Sequence, residues 1–120
     1  MKTWAVVGLG NNPERAAFGV AKLLQDKGHR IIPVYPRAET VHGEVGYKTL
    51  SGIPGPIDVV DCFVNSTLVG KVVDEAIAIG AKAVWLQLDV IDNDAIARAQ
   101  AAGLITVMDR CPAIEYRKKS

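Results

Sequence analysis

The chain has 120 residues, 49% apolar and 22% charged, and its 14 basic and 13 acidic side chains leave a net charge of +1. That is the composition of one globular domain; it gives no broad basic footprint for nucleic acid or an anionic membrane, and no stretch approaches the roughly 20 apolar residues of a membrane span. The two cysteines, Cys62 and Cys111, suit a reducing compartment better than a disulfide framework, and the apolar stretch from Trp4 to Leu9 is too short for a signal peptide, so a cytoplasmic location is expected.

Ala5-Val6-Val7 reads as a buried strand with Trp4 at its entry. A glycine-bearing turn follows, Gly8-Leu9-Gly10-Asn11-Asn12-Pro13-Glu14-Arg15. There Asn12 is expected to cap the next helix and Pro13 to occupy its first turn. Ala17, Val20, Ala21 and Leu24 then fall on one helical stripe, and Gly28 is placed to end it. Residues 31–35 form the second predicted strand. Pro33 removes a ladder donor there, so it needs a position with no partner on that side. From Arg37 to Pro56 the chain carries four glycines and two prolines and no long helical stripe. An irregular loop is expected, with a single helical turn somewhere over residues 47–53, and long loops on the carboxyl edge of a sheet commonly bind something.

Residues 58–64 form the third predicted strand, and Asn65, Ser66 or Thr67 can cap a helix that buries Val69, Val72, Val73, Ala76 and Ile77 before Gly80. Residues 83–88 are the fourth strand. Asp92 or Asn93 caps a helix with Ala95, Ile96 and Ala99 inward, Gly103 ends it, and residues 104–108 are the fifth strand. Strands alternating with helices at this spacing imply βαβ units, a parallel sheet and right-handed crossovers. The expected fold is a single Rossmann-like domain over residues 1–120: an α/β, doubly wound, five-stranded parallel sheet in the order 3-2-1-4-5, with helices on both faces.

The glycine turn sits where a helix presents its first free N–H groups, so an anion is favoured and a phosphate is its natural occupant. Gly8-Leu9-Gly10 begins like a dinucleotide fingerprint, but the third glycine would be position 13, which is Pro13. The acid expected after the second strand is replaced by Tyr35-Pro36-Arg37. An arginine grips a phosphate on the ribose rather than a hydroxyl, which argues against NAD and leaves NADP or coenzyme A. The plainer alternative is a solvated loop charge at Arg37. A P-loop is excluded: Val72 follows Gly70-Lys71 where Ser or Thr is required, and Gly70, inside a helix, serves packing or nothing.

Several stretches together resemble the small stand-alone CoA-binding proteins. They are the Gly8 to Arg15 turn, Val34-Tyr35-Pro36, Val41-His42-Gly43 with Tyr47 and Leu50, and Ile57-Asp58-Val59-Val60-Asp61. Ala76-Ile77-Ala78-Ile79-Gly80-Ala81-Lys82, Trp85-Leu86-Gln87-Leu88, and the closing Val107-Met108-Asp109-Arg110-Cys111-Pro112 with Ile114-Glu115-Tyr116 complete the match. The same fold forms the amino-terminal domain of the succinyl-CoA synthetase α subunit and of NDP-forming acyl-CoA synthetases. The resemblance implies binding of coenzyme A through its 3′-phosphoadenosine diphosphate end. The pyrophosphate would lie on Gly8, Leu9, Gly10, Asn11, Asn12 and Arg15, and the adenosine near Pro36 and Arg37. Val64, Asn65, Gln87 and Leu88 would wall the site. Two positions depart from the family pattern, Asn11 where Ser or Thr is common and Tyr35 where Asn is common. The larger synthetases also carry a phosphorylated histidine in a second domain, which has no counterpart here, so their ligase chemistry is not expected.

Other residues invite chemical readings. Arg15, expected about one turn into the first helix, can reach a phosphate there. Cys111, beside Arg110, could form a mixed disulfide with a ligand thiol, but an inert cysteine in a turn fixed by Pro112 is the simpler reading. Cys62 belongs to the core. A nucleophilic set would require His42, Cys111 and Asp109 to converge, and His42 is more simply a turn residue; His29 falls at the opposite edge. No cluster has metal-ligand spacing. Asp61, an acid among apolar neighbours, needs a partner and is read as structural, with loop amides or an arginine as candidates. The sequon Asn65-Ser66-Thr67 has no secretory context, Trp4 and Trp85 are assigned to the core or an interface, and the basic tail Arg117-Lys118-Lys119 to solvent. The expected function is therefore a non-catalytic module, carrier or sensor, binding coenzyme A or an acyl-CoA, with no nucleic-acid or membrane partner and a homodimer as one option. Its rivals are a small NADP-dependent oxidoreductase, for which no Tyr-Lys or Ser-Tyr pair is visible, and an interaction protein with a vestigial pocket.

Overall fold

In the computed structural model, described for residues 2–111, the apolar runs and stripes become β1 (Thr3–Val7), α1 (Ala16–Asp26), β2 (Arg30–Val34), β3 (Val59–Cys62), α2 (Ser66–Ala78), β4 (Ala83–Leu86), α3 (Asn93–Ala101) and β5 (Ile105–Val107). A 3-10 turn at Leu50–Gly52 is the helical turn expected between β2 and β3. All ladders are parallel, as buried βαβ strands require. Alternate residues of each strand serve opposite faces. Trp4 and Val6 of β1 join one core layer with α1's Ala17, Val20, Ala21 and Leu24. Ala5 and Val7 join the other, with α2's Val69, Val73 and Ala76 and α3's Ala95, Ile96 and Ala99. The fold is the expected doubly wound Rossmann-like sheet with helices on both faces. The closing residues Pro112, Ile114-Glu115-Tyr116 and Arg117-Lys118-Lys119 lie outside the described part of the chain.

The strand order is 2-1-3-4-5, which corrects the expected 3-2-1-4-5. The physical reason lies in the long β2–β3 connection. Its Leu50, Ile53 and Ile57 pack into the layer opposite α1. A right-handed crossover on that face must return beyond β1, not beside β2. That leaves β2 at the edge, where Pro33 is tolerated: its register partner is Val6 of β1, and its free side meets only the Tyr47 bridge. Each helix is followed by its expected glycine, Gly28, Gly80 and Gly103, all at positive φ. Asn12, by contrast, does not cap α1. A turn intervenes, with the Arg15 N–H donating to the Asn12 carbonyl at 3.0 Å, and α1 starts only after Arg15. No helix among the described residues is long and apolar enough to cross a membrane.

Candidate ligand cleft at the carboxyl edge

The winding direction reverses between β1 and β3, so the carboxyl ends of those strands open a crevice. Gly8 leaves β1 at φ +98°, its N–H donating to the Val34 carbonyl at 2.8 Å, and a Cβ there would stand 2.5 Å from the Phe63 carbonyl oxygen. Only glycine permits that approach of β1 to β3. Beyond it, Asn12 Oδ1 accepts the Glu14 N–H at 3.0 Å and shapes the turn into α1. Arg15 is the residue immediately before the helix, not one turn into it. Neither Arg15 at the start of α1 nor Asn65 at the start of α2 makes a side-chain cap, whereas Asp92 at the start of α3 accepts the Ala95 N–H at 3.0 Å. The two helix starts that line the crevice therefore leave backbone donors open to an outside acceptor.

Two adjoining clefts occupy this edge. The larger, about 880 Å³, runs from Gly8 and Arg15 past Pro36, Val64 and Asn65 to Gln87 and Leu88. The smaller, about 300 Å³, lies over the turn and is lined by Gly8, Gly10, Asn11, Asn12, Arg15 and Arg37. Leu9 lines neither; its side chain is fully buried in the α1 layer. Lys48, Thr49, Lys71, Val72 and Glu75 also border the larger cleft. Sequence reasoning missed Lys48 and Thr49 because they come from the irregular loop, and Lys71 and Glu75 because they lie on a flank of α2 that carries no motif. Val72, expected with Ile77 to be buried in the stripe of α2, is like Ile77 only half-buried, and it borders the cleft.

Glu39 was missed as well. The acid absent from positions 35–37 arrives from further along the loop: Glu39 Oε1 lies over Gly10 and accepts the Asn11 N–H at 2.7 Å. The Asn11 side chain donates to the Thr40 carbonyl at 2.5 Å, so the turn and the loop are stitched together. The signal that could have found Glu39 is simply an acid within a few residues of the end of β2. The turn has a carboxylate as its present acceptor, which sets a rival to any other anion there.

Asp61 is fully buried in β3, between Val6 of β1 and Trp85 of β4. Its partner is neither a loop amide nor an arginine: Gln87 Nε2 donates to Asp61 Oδ1 at 2.5 Å. Burial dominates and pushes its carboxyl up to about 8, with the Gln87 bond pulling weakly the other way. Asp61 Oδ2 and the indole N–H of Trp4 are buried without partners among the described residues. Burial and the adjacent Asp61 push the Cys62 thiol up, which fits an inert core residue.

The nucleophilic set does not assemble. His42 Nε2 is 2.8 Å from the Phe18 carbonyl, and its ring packs on Phe18 at a centroid distance of 4.2 Å. Asp109 Oδ1 accepts the Asp89 N–H at 2.7 Å, while Cys111 borders the larger cleft alone. His29 lies at the amino edge, where its Nδ1 meets the Lys2 N–H at 3.3 Å. No group of three or more His, Cys, Asp or Glu among the described residues could hold a metal.

A parallel doubly wound sheet with a glycine turn, open helix starts and a long cleft at the switch point defines a Rossmann-like ligand-binding domain. The sequence profile of the CoA binding domain matches residues 2–117, and the chain belongs to that family. It is 34% identical over 110 residues to the uncharacterised protein YneT of Bacillus subtilis (strain 168), covering 92% of this chain and 82% of that protein. It is 33% identical over 81 residues to the α subunit of the ADP-forming acetate–CoA ligase II of Pyrococcus furiosus, covering 67% of this chain but only 18% of the ligase subunit. Among solved structures, a hypothetical protein from Pyrococcus horikoshii OT3 superposes with a TM-score of 0.93 at 40% identity, over 98% of this chain and 82% of that one.

Proposed function

We propose that this domain binds coenzyme A or an acyl-CoA through the 3′-phospho-ADP end, as a non-catalytic binding or sensing module of the cytoplasm. The observation that carries the reading is the pairing of the two clefts, which share Gly8, Arg15 and Tyr35. The smaller is bordered by Arg37 and suits a phosphorylated ribose, and the larger, about 880 Å³, has room for an extended arm. Arg15 and the open N–H groups at the start of α1 would hold the pyrophosphate, and Arg37 the 3′-phosphate in its planar fork. The family match supports the ligand. The reading assigns no catalytic residue, and the ligase reaction of the Pyrococcus furiosus relative is not transferred, because the chain spans so little of that subunit.

The test is calorimetric titration with coenzyme A, dephospho-coenzyme A and NADP. Coenzyme A should bind most tightly. Arg37→Ala should cost it roughly ten- to a hundredfold, the worth of a charge-assisted bond to phosphate, and bring it level with dephospho-coenzyme A. Tighter binding of NADP would transfer the reading to a hydride-carrying cofactor.

A further inference from the structure

The larger cleft is lined by apolar Val7, Val34, Phe63 and Val64 and by several polar side chains, of which Gln87 is the one that is buried. Gln87 is 5% exposed, and its backbone is held on both sides: its N–H donates to the Cys62 carbonyl at 3.3 Å and its carbonyl accepts the Val90 N–H at 3.0 Å. Its Nε2 is turned down to Asp61, and among the described residues nothing donates to its Oε1. A side chain anchored at the backbone and at one end of its amide has little freedom left, so the remaining oxygen is a fixed acceptor. The anchor itself is costly, because a carboxyl group in mid-sheet loses its hydration. Among the described residues, the one side chain that Asp61 bonds is the one that reaches the cleft.

We propose that Asp61 holds Gln87 so that the Gln87 side-chain oxygen accepts an amide N–H of the ligand's pantetheine arm, making Gln87 the residue that reads the arm and Asp61 its positioning residue. The inference rests on the coenzyme A reading above. Gln87 lies at the end of β4, two strand spacings or about 10 Å from the glycine turn on β1. A phosphate group on the turn therefore leaves Gln87 beside the arm, whose secondary amides bring N–H donors to it. A buried acceptor discriminates strongly, because a ligand without a donor leaves it unpaired.

The experiment compares coenzyme A with adenosine 3′,5′-bisphosphate, which lacks the arm, by calorimetry on the wild type, Gln87→Met, Asp61→Asn and Asp61→Val. Gln87→Met should weaken coenzyme A about tenfold and leave the bisphosphate within about twofold. Asp61→Val should reproduce that split, and Asp61→Asn, which keeps an acceptor for Nε2, should restore near-normal binding. Thermal unfolding identifies variants that do not fold; if Asp61→Val is one, Gln87→Met decides alone. Equal losses for both ligands, or no loss for either, would overturn the assignment. A wild type that binds the bisphosphate as tightly as coenzyme A would overturn it too, with the phosphate reading intact. A wild type that binds neither would bring down the coenzyme A reading and this inference with it.

Discussion

Asp61 shows how a single buried acid ties stability to pH. Its carboxyl rises from an ordinary 3.8 to about 8 in the fold. Between those values the unfolded chain has released a proton that the folded chain retains, so stability falls as pH rises through the window and levels off above it. His29 is shifted the other way, lowered from 6.5 by burial first and by neighbouring positive charge second, so it lowers stability below its ordinary value. The interval from about 6.5 to 8 therefore isolates Asp61 among the shifted groups. Urea unfolding at a series of pH values across that interval should give a declining free energy for the wild type and a flat line for Asp61→Asn; parallel slopes would refute the assignment. The oddity of Asp61 was legible in the sequence as an acid inside an apolar run. Its partner was not, since Gln87 is 26 residues away and comes alongside only through the β3–β4 register. Glu39 eluded the sequence for a related reason: a loop without periodicity carries no record of where its side chains return.

At the scale of elements, stripes and terminators were legible because they are local. The inward residues of α3 are those its spacing predicted, and the glycines after the three helices fall where a left-handed residue ends a helix. The order of the sheet was not legible, because it depends on which face receives Leu50, Ile53 and Ile57. Gly70, read as a packing residue, sits on α2 where a Cβ would be 3.2 Å from Asp92 Oδ2 and 3.5 Å from Arg98 Nη2, so its bareness lets α3 lie close. Asp92 both closes that seam and caps α3. Asp92→Ala should cost about 1 kcal/mol, read as a fall of roughly 4 °C in the unfolding midpoint, without weakening ligand binding, because the residue borders neither cleft. Loss of binding with an unchanged midpoint would contradict this division of labour.

The whole molecule is an unequal sandwich, with α1 and Val41 of the long loop covering one face of the sheet, and α2, α3 and the loop's Leu50, Ile53 and Ile57 covering the other. The carboxyl edge is where the two covers, the loop and the strand ends meet, so a ligand spanning the cleft touches elements from both sides. Coenzyme A at a hundred times its Kd should stabilise the domain by about 2.7 kcal/mol, seen as a higher denaturation midpoint, while Arg37→Ala at the same concentration should gain much less. The stitch between turn and loop gives that cleft a further property. The Asn11 amide already donates to Glu39, so an arriving phosphate would compete with a carboxylate tethered to the same chain, whose effective concentration is on the order of millimolar. On the coenzyme A reading, capture at the turn would be an exchange of one anion for another. The firmness with which the loop holds Glu39 would then set the free concentration at which the exchange tips, and the threshold for the ligand could be retuned from the loop while the sheet stays as it is.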